Sequence, residues 1–406
     1  MRIMIVSPQL PFPLIDGAKK GVFYPIKYLA ARGHSIHLAC LAELGDPAAV
    51  KEMERYCTID VVANSKTPTV KGALRSLFSS TPYDLSRFHN RQLLATIMRK
   101  LEAERFDVLQ VEGIHAAFYG LEVKKVHDIP LVMRVHNVQS VNLQRSVGQF
   151  RNPLINAYLS YETGKVRRYE TRESIKFDNN LTVSAHDATL VLAQNPSTRC
   201  TVVPAGVDIN EFSVVGGPQD RDSVLWMGAL QWIPNQDSAW WFIQDIVPRI
   251  VAKIPTVSAR IAGSKPPKKI LDVRHPNIQV LGFVDDIQAT MRQAQVCVVP
   301  LRVGSGIRLK LLEMFALQKP VVSTSIGCEG LNVKNEEHLL IADDAESFAG
   351  AVARLLSDPS LRERLGRNAM NHAREHFSWE VIAGQYEAAY QAVLRKPRDD
   401  KPVVVT

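Results

Sequence analysis

The chain has 406 residues, 46% apolar and 22% charged, enough apolar material for two cores and a composition that excludes disordered, collagen-like and coiled-coil classes. Its net charge of +8 is confined to one half: residues 1–200 hold 26 Lys and Arg against 18 Asp and Glu, while residues 201–406 hold 23 against 23. A uniformly basic chain would point to nucleic acid. A basic half joined to a neutral one points instead to a face meeting something anionic, such as a phospholipid surface or lipid-linked phosphate, against the plain alternative of a solvated surface. No nucleic-acid partner is expected.

Five scattered cysteines, Cys40, Cys57, Cys200, Cys297 and Cys328, have neither metal-ligand nor disulfide spacing and read as reduced thiols of a cytosol. No run of about 18 apolar residues occurs, and MRIMIVSP enters a strand without a basic leader; neither a membrane span nor export is expected. In chain order, the first half offers the short apolar runs MRIMIVSP, SIHLACL, IDVVAN, VLQVEG, LVMRVHN, NNLTVSA and CTVVPAG. Segments of helical spacing, such as Lys19–Arg32 and Arg91–Glu104, separate them. The second half repeats the alternation with SVLWMGAL, SARIAGS, NIQVLGF, VCVVPL, PVVSTS and HLLIADD. Twice-repeated strand and helix alternation predicts an α/β chain of two Rossmann-like, doubly wound domains facing across a cleft. Gly206, Gly216, Gly217 and Pro218 place the boundary near Pro204–Gly217, giving domains 1–205 and 206–379. One long helical region is expected from Ala345 to about Phe377. A last helix, 380–395, packs back on the first domain, and 396–406 is a loose tail.

The most informative segment is VCVVPLRVGSGIRLKLLEMFALQKPVVST, residues 296–324, which reads as strand, glycine loop, helix, strand. Gly304, Ser305 and Gly306 allow a tight turn with outward backbone N–H groups, and the following helix offers more. That helix carries Arg308 and Lys310 in its first turns, where the helix dipole disfavours cations. A broken local rule of this kind fits a phosphate or pyrophosphate held between the cations and the amides; helix-surface pairing of Lys310 with Glu313 is the competing reading. Glu313 stands among Leu311, Leu312, Met314 and Phe315, a costly place for a carboxylate, and ribose hydroxyls would satisfy it. The third glycine of the dinucleotide fingerprint is missing, so hydride chemistry with NAD is not supported.

Over Thr201–Leu394 the segments VVPAGVDINEF, LGFVDDIQATMRQAQVCVVPL and LLEMFALQKPVVST resemble a family 4 glycosyltransferase of the GT-B fold, the bacterial type that builds cell-surface polysaccharides and glycolipids. MRIMIVSPQLPFPLIDGAKKG and VMRVHN carry a looser likeness in the first domain. The resemblance implies that Glu313 contacts the donor ribose. The first glutamate of the family's Glu-x7-Glu motif falls on Ser305, a departure that bears on the donor sugar. The Arg and Lys that many members carry after the first strand of the second domain are replaced in GALQWIPNQDS by Ala229 and Pro234, with Arg308 and Lys310 expected to compensate. Gly17 matches the glycine loop that approaches the donor phosphates, and His136 the histidine that contacts the donor hexose. Gly228, Phe283 and Val284 match places that hold the phosphates and the base.

Asp285–Asp286 and Asp343–Asp344 precede predicted helices and read as caps, so no metal and no cofactor is expected beyond the donor substrate, a UDP- or GDP-sugar. Trp226, Trp232, Trp240, Trp241 and Phe242 read as core and cleft wall rather than a carbohydrate platform. Residues 66–91, with Leu74, Leu77 and Phe78 on one helical face, and the basic run Lys165, Arg167, Arg168 and Arg172 suit a membrane surface or a packed helix equally. The expected function is a retaining, metal-independent hexosyl transfer to a glycan or lipid-linked acceptor, with Arg308, Lys310 and His136 as catalytic residues, in the cytoplasm or at the inner face of the membrane. The alternatives are a nucleotide-sugar 2-epimerase of the same fold and a silent nucleotide-binding subunit.

Overall fold

A computed structural model describes residues 1–43, 46–64, 69–147, 152–212, 219–304 and 307–395. The chain divides into two units, Met1–Pro204 with Ile382–Thr406, and Ala205–Val381. The boundary falls one residue before the expected one, and the chain rejoins the first unit at Ile382 rather than at 380. Gly216, Gly217 and Pro218, which helped to place the boundary, lie outside the described residues, as does the tail.

The first unit contains seven strands: β1 (Arg2–Ser7), β2 (Ser35–Ala42), β3 (Thr58–Ala63), β4 (Val108–Glu112), β5 (Leu131–Val135), β6 (Asn179–Thr182) and β7 (Cys200–Val202). They form one sheet in the order β3-β2-β1-β4-β5-β6-β7, parallel throughout. Every residue of β4 and β5 is buried, as expected of strands covered on both faces by helices, which is why these runs lack polar alternation. The second unit contains β8 (Ser223–Met227), β9 (Ser258–Ala262), β10 (Ile278–Gly282), β11 (Val296–Val299), β12 (Val321–Ser323) and β13 (Leu340–Ile341), ordered β10-β9-β8-β11-β12-β13 and again parallel. Each of the thirteen predicted strand segments overlaps one of these strands, β2 and β3 each reaching one residue beyond theirs, and each sheet is doubly wound. Strand order reverses once per sheet, between β1 and β4 and between β8 and β11. At such points successive connections leave in opposite directions and open a crevice beyond the carboxyl ends of the strands.

The helical region 345–377 is two helices rather than one, Ala345–Ser357 and Pro359–Phe377. Pro359 excludes Asp358 from the helical conformation, and Asp358 sits at φ −117° with its carboxylate accepting from Leu361 N at 2.9 Å. The second of these helices packs on the helix Leu309–Ala316, joining Ala369 and Ala373 to Leu312 and Phe315 in one core. A Cβ on Gly366 would overlap the Gln318 carbonyl just past the end of that helix.

The close approach at Gly366 generates a stability prediction. Gly366→Ala forces the two helices apart and should lower the unfolding free energy of the second unit by roughly 1–3 kcal/mol, measured by urea denaturation; an unchanged midpoint would show that this contact does not seat the Leu309–Ala316 helix.

Candidate functional site

In the second unit the crevice between β8 and β11 is lined from both sides. Met227 ends β8 and Gly228 follows it, the Gly228 amide donating to Ala262 O at 3.0 Å. From the other side β11 leads to Gly304, whose φ of +142° suits glycine, and then to Arg308. The backbone of Arg308, at φ −87° and ψ 90°, is not helical; the helix begins at Leu309. Arg308 is therefore the residue that caps the helix N-terminus, not a member of its first turn as expected, while Lys310 does lie in that turn. Ser305 and Gly306 lie outside the described residues. The Arg308 side chain is buried and turned back over the loop, so that a Cβ on Gly304 would stand 2.7 Å from its Nη2.

Lys310 reaches across to β8. Its ammonium donates to Met227 O at 2.9 Å and to Asn235 Oδ1 at 3.3 Å, and lies 5.1 Å from the centre of the Trp226 ring. Burial pushes this amine down to about 7, and the neighbouring Arg308 guanidinium pushes the same way; withdrawal from water and a like charge both disfavour the charged form. Asn235 also donates to Ala229 O at 2.9 Å. It braces the turn where the resemblance expected cations, and nothing in its sequence context marks it except its place just after Pro234. Glu313 is buried on the same helix as Lys310, flanked by Leu312 and Met314.

Among the aromatic residues the structure draws a distinction that the sequence reading did not. Trp226, Trp241 and Phe242 are core, the Trp226 indole donating to Ser238 Oγ at 3.0 Å. Trp232 is 43% exposed and reaches the glycine loop, 3.6 Å from where a Cβ on Gly304 would lie. Phe283 is exposed and Val284 partly buried, just beyond the end of β10. Asp286 and Asp344 cap the helices Ile287–Gln293 and Ala345–Ser357. Asp343 instead accepts from the backbone and hydroxyl of Ser325.

In the first unit Gly17 is the first residue of the helix Gly17–Ala31 rather than part of a loop, with Asp16 as its cap accepting from Lys19 N at 2.9 Å. One turn on, Gly21 faces His136, at 3.2 Å from a built Cβ to Cε1. His136 follows β5, and its Nε2 is 2.7 Å from Glu112 Oε2 at the end of β4. Glu112 and Gly21 were not singled out in the sequence; only the fold brings them to His136.

A family profile described as Glycosyltransferase Family 4 matches residues 15–211, and one described as Glycosyl transferases group 1 matches residues 221–358. A 44.6 kDa protein of the cps region of Klebsiella pneumoniae is 22% identical over 394 residues, 94% of this chain and 97% of that protein. The capsular polysaccharide biosynthesis glycosyltransferase CapM of Staphylococcus aureus is 26% identical over 36% of this chain and 41% of its own. Among solved structures, sucrose-phosphate synthase from Thermosynechococcus elongatus has the same fold, with a TM-score of 0.71 at 18% identity, covering 97% of this chain and 99% of that one. Anabaena HepE in complex with UDP-glucose aligns with a TM-score of 0.64 at 15% identity, covering 97% of this chain and all of that one.

The environment of Lys310 has a consequence for stability. Its folded value of about 7 lies below the 10.5 of an ordinary lysine, so between the two the unfolded chain holds a proton that the folded chain has released. In that window stability rises with pH, at most about 1.4 kcal/mol per pH unit from this one group, and the penalty is complete below it. Urea denaturation of wild type and Lys310→Met at pH 7 and pH 9 should show wild type gaining on the variant at the higher pH; a pH-independent difference would contradict the assignment.

Proposed function

The chain belongs to the family 4 glycosyltransferases, which share the GT-B fold, and from that membership we propose that it transfers a hexose from a UDP- or GDP-sugar to a hydroxyl of a glycan or lipid-linked acceptor in cell-surface polysaccharide synthesis. The observation that carries this reading is the placing of Arg308 and Lys310 at the Gly304 loop, in the crevice where the second sheet reverses its strand order. As the glycosidic bond breaks, negative charge gathers on the leaving diphosphate. The buried Arg308 guanidinium, and the Lys310 amine as it takes up a proton, stabilise that charge from positions the fold already holds. They supply the charge a metal ion would otherwise supply, so transfer proceeds without one. Glu313 accepts from the ribose hydroxyls, Phe283 and Val284 flank the base, and Gly228, packed against the Asn235 side chain, carries the turn after β8 close to the phosphates. His136 contacts the transferred sugar. Retention of the anomeric configuration follows the family's habit, with a leaving phosphate oxygen taking the acceptor proton. The solved complex of HepE with UDP-glucose and the capsular role in CapM's name support the donor and product classes.

The basic first half supports a second contact, with an anionic membrane surface. Leu74, Leu77 and Phe78, on and just after the helix Val70–Ser76, are exposed, Phe78 to 95%. They adjoin the helix Pro153–Glu173, where Leu154 and Ile155 are also exposed. Tyr161 Oη donates to Leu77 O at 3.0 Å and Lys165 Nζ to Ser76 O at 2.7 Å, tying the two segments together. A patch of large apolar side chains with Arg75 beside it suits the headgroup layer of an anionic bilayer.

Thermal shift with UDP, GDP, ADP, TDP and their sugars, in the presence of EDTA, should single out one nucleotide series, with about 2.7 kcal/mol of stabilisation at a hundredfold excess over Kd. Glu313→Ala should reduce that shift, and Arg308→Ala should lower kcat/KM about 10²–10³-fold; normal kinetics in the arginine variant would sink the diphosphate assignment. Because bound diphosphate draws a proton onto Lys310, calorimetry at pH 8 in buffers of different ionisation enthalpy should show proton uptake that Lys310→Met abolishes. Phe78→Glu should reduce cosedimentation with phosphatidylglycerol vesicles, whereas equal binding by wild type and variant would remove the membrane contact.

A further inference from the structure

Behind His136 lies a line of buried polar side chains that the reaction described above does not use. Gln110 and Glu112 are two apart on β4, so their side chains share one face of the sheet, and both are buried. Gln110 Nε2 donates to Glu112 Oε1 at 2.6 Å, and the other carboxylate oxygen meets His136 Nε2 at 2.7 Å. At the far end Tyr390, fully buried on the helix Trp379–Arg395, donates its hydroxyl proton to Gln110 Oε1 at 2.6 Å. One turn earlier Tyr386 lies under the buried Arg134 guanidinium, 5.2 Å from ring centre to Cζ, and Arg134 donates to Val203 O at 2.5 Å. The tyrosines of the returning helix are thus anchored in the first unit.

The direction of this line is set by the chemistry of its members. A carboxylate can only accept, so Gln110 must turn its NH2 toward Glu112, which leaves its carbonyl facing Tyr390, whose hydroxyl can donate. With both oxygens of Glu112 receiving donors, His136 must carry a proton on Nε2, and in the neutral ring Nδ1 then keeps its lone pair. The edge of the ring that bears Nδ1 and Cε1 is the one facing Gly21, where a Cβ would crowd it at 3.2–3.3 Å.

We propose that Glu112, Gln110 and Tyr390 are positioning residues that hold His136 as the Nε2–H tautomer and so present Nδ1 as the acceptor for a hydroxyl of the transferred sugar. The proposal rests on the reading that His136 meets that sugar. It makes the last helix part of the functional apparatus of the first unit: a hydroxyl near the end of the described chain determines which ring nitrogen accepts a proton at the tip of β5.

The test is to read the tautomer directly by nitrogen-15 NMR of the histidines in full-length protein, with His136→Ala to assign the resonances. Wild type should show His136 protonated at Nε2. In Glu112→Gln the new amide keeps its carbonyl toward Gln110 and turns its NH2 toward His136, so the proton should move to Nδ1. With Nδ1 then a donor, kcat should fall about tenfold to a hundredfold while the thermal shift produced by the nucleoside diphosphate is unchanged, and Glu112→Gln should add little to His136→Ala. Tyr390→Phe, which removes one oxygen from the far end, should lower kcat a few-fold at constant KM. An Nδ1–H tautomer in wild type, or one unaltered by Glu112→Gln, overturns the relay. If the tautomer inverts as expected but His136→Ala and Glu112→Gln both turn over normally, the relay stands as geometry, and what falls is the contact between His136 and the sugar, and with it the proposed role.

Discussion

Each sheet reverses its strand order once, and the crevice left there constrains everything else in its unit. A parallel strand must be followed by a crossover, and where neighbouring crossovers leave on opposite faces nothing fills the space beyond the strand ends. In the second sheet that space is bounded by the turn after Met227 on one side and by the Gly304 loop on the other. In the first it opens beyond β1 and β4, and Glu112 stands at the end of β4 with His136 just past its neighbour β5. Chemistry gathers at these edges because backbone amides, helix starts and side chains from separated stretches of sequence converge there.

Electrostatically the second unit carries a deliberate misfit. A helix N-terminus favours anions, yet here an arginine occupies the cap position and a lysine the first turn. The lysine's amine is held by a strand-end carbonyl and an asparagine oxygen above an indole face. These contacts offset only part of its desolvation, as its lowered proton affinity shows. Such a pair is tolerable in a folded protein when the missing negative charge arrives with a ligand.

Much of this architecture can be read from sequence because parallel strands are written as continuous β-branched runs. VCVV and LVMRV announce themselves without any partner being known. The break at Asp358–Pro359 is equally legible, as an aspartate cap followed by a proline at the first helical position. The start of the helix at Leu309 is not legible, because a glycine loop gives no sign of where helical dihedrals begin. Asn235, Glu112, Gly21 and the exposed Trp232 escaped for a different reason. Each matters through a neighbour far away in the chain, Lys310 for Asn235 and His136 for Glu112, and a single sequence records no such distances. The motif residues could be found because their neighbours in sequence are also their neighbours in space.

The first unit is discontinuous in sequence: its sheet is built from residues before 205, but the tyrosines that cover Arg134 and Gln110 belong to the part of the helix Trp379–Arg395 that follows Val381. A ribosome therefore delivers the whole second unit before the first can be finished. During that interval the buried guanidinium and amide of β5 and β4 lie open to water, and the nascent sheet waits in an incomplete state while the neighbouring unit, contiguous from Ala205 to Val381, can already close its own core.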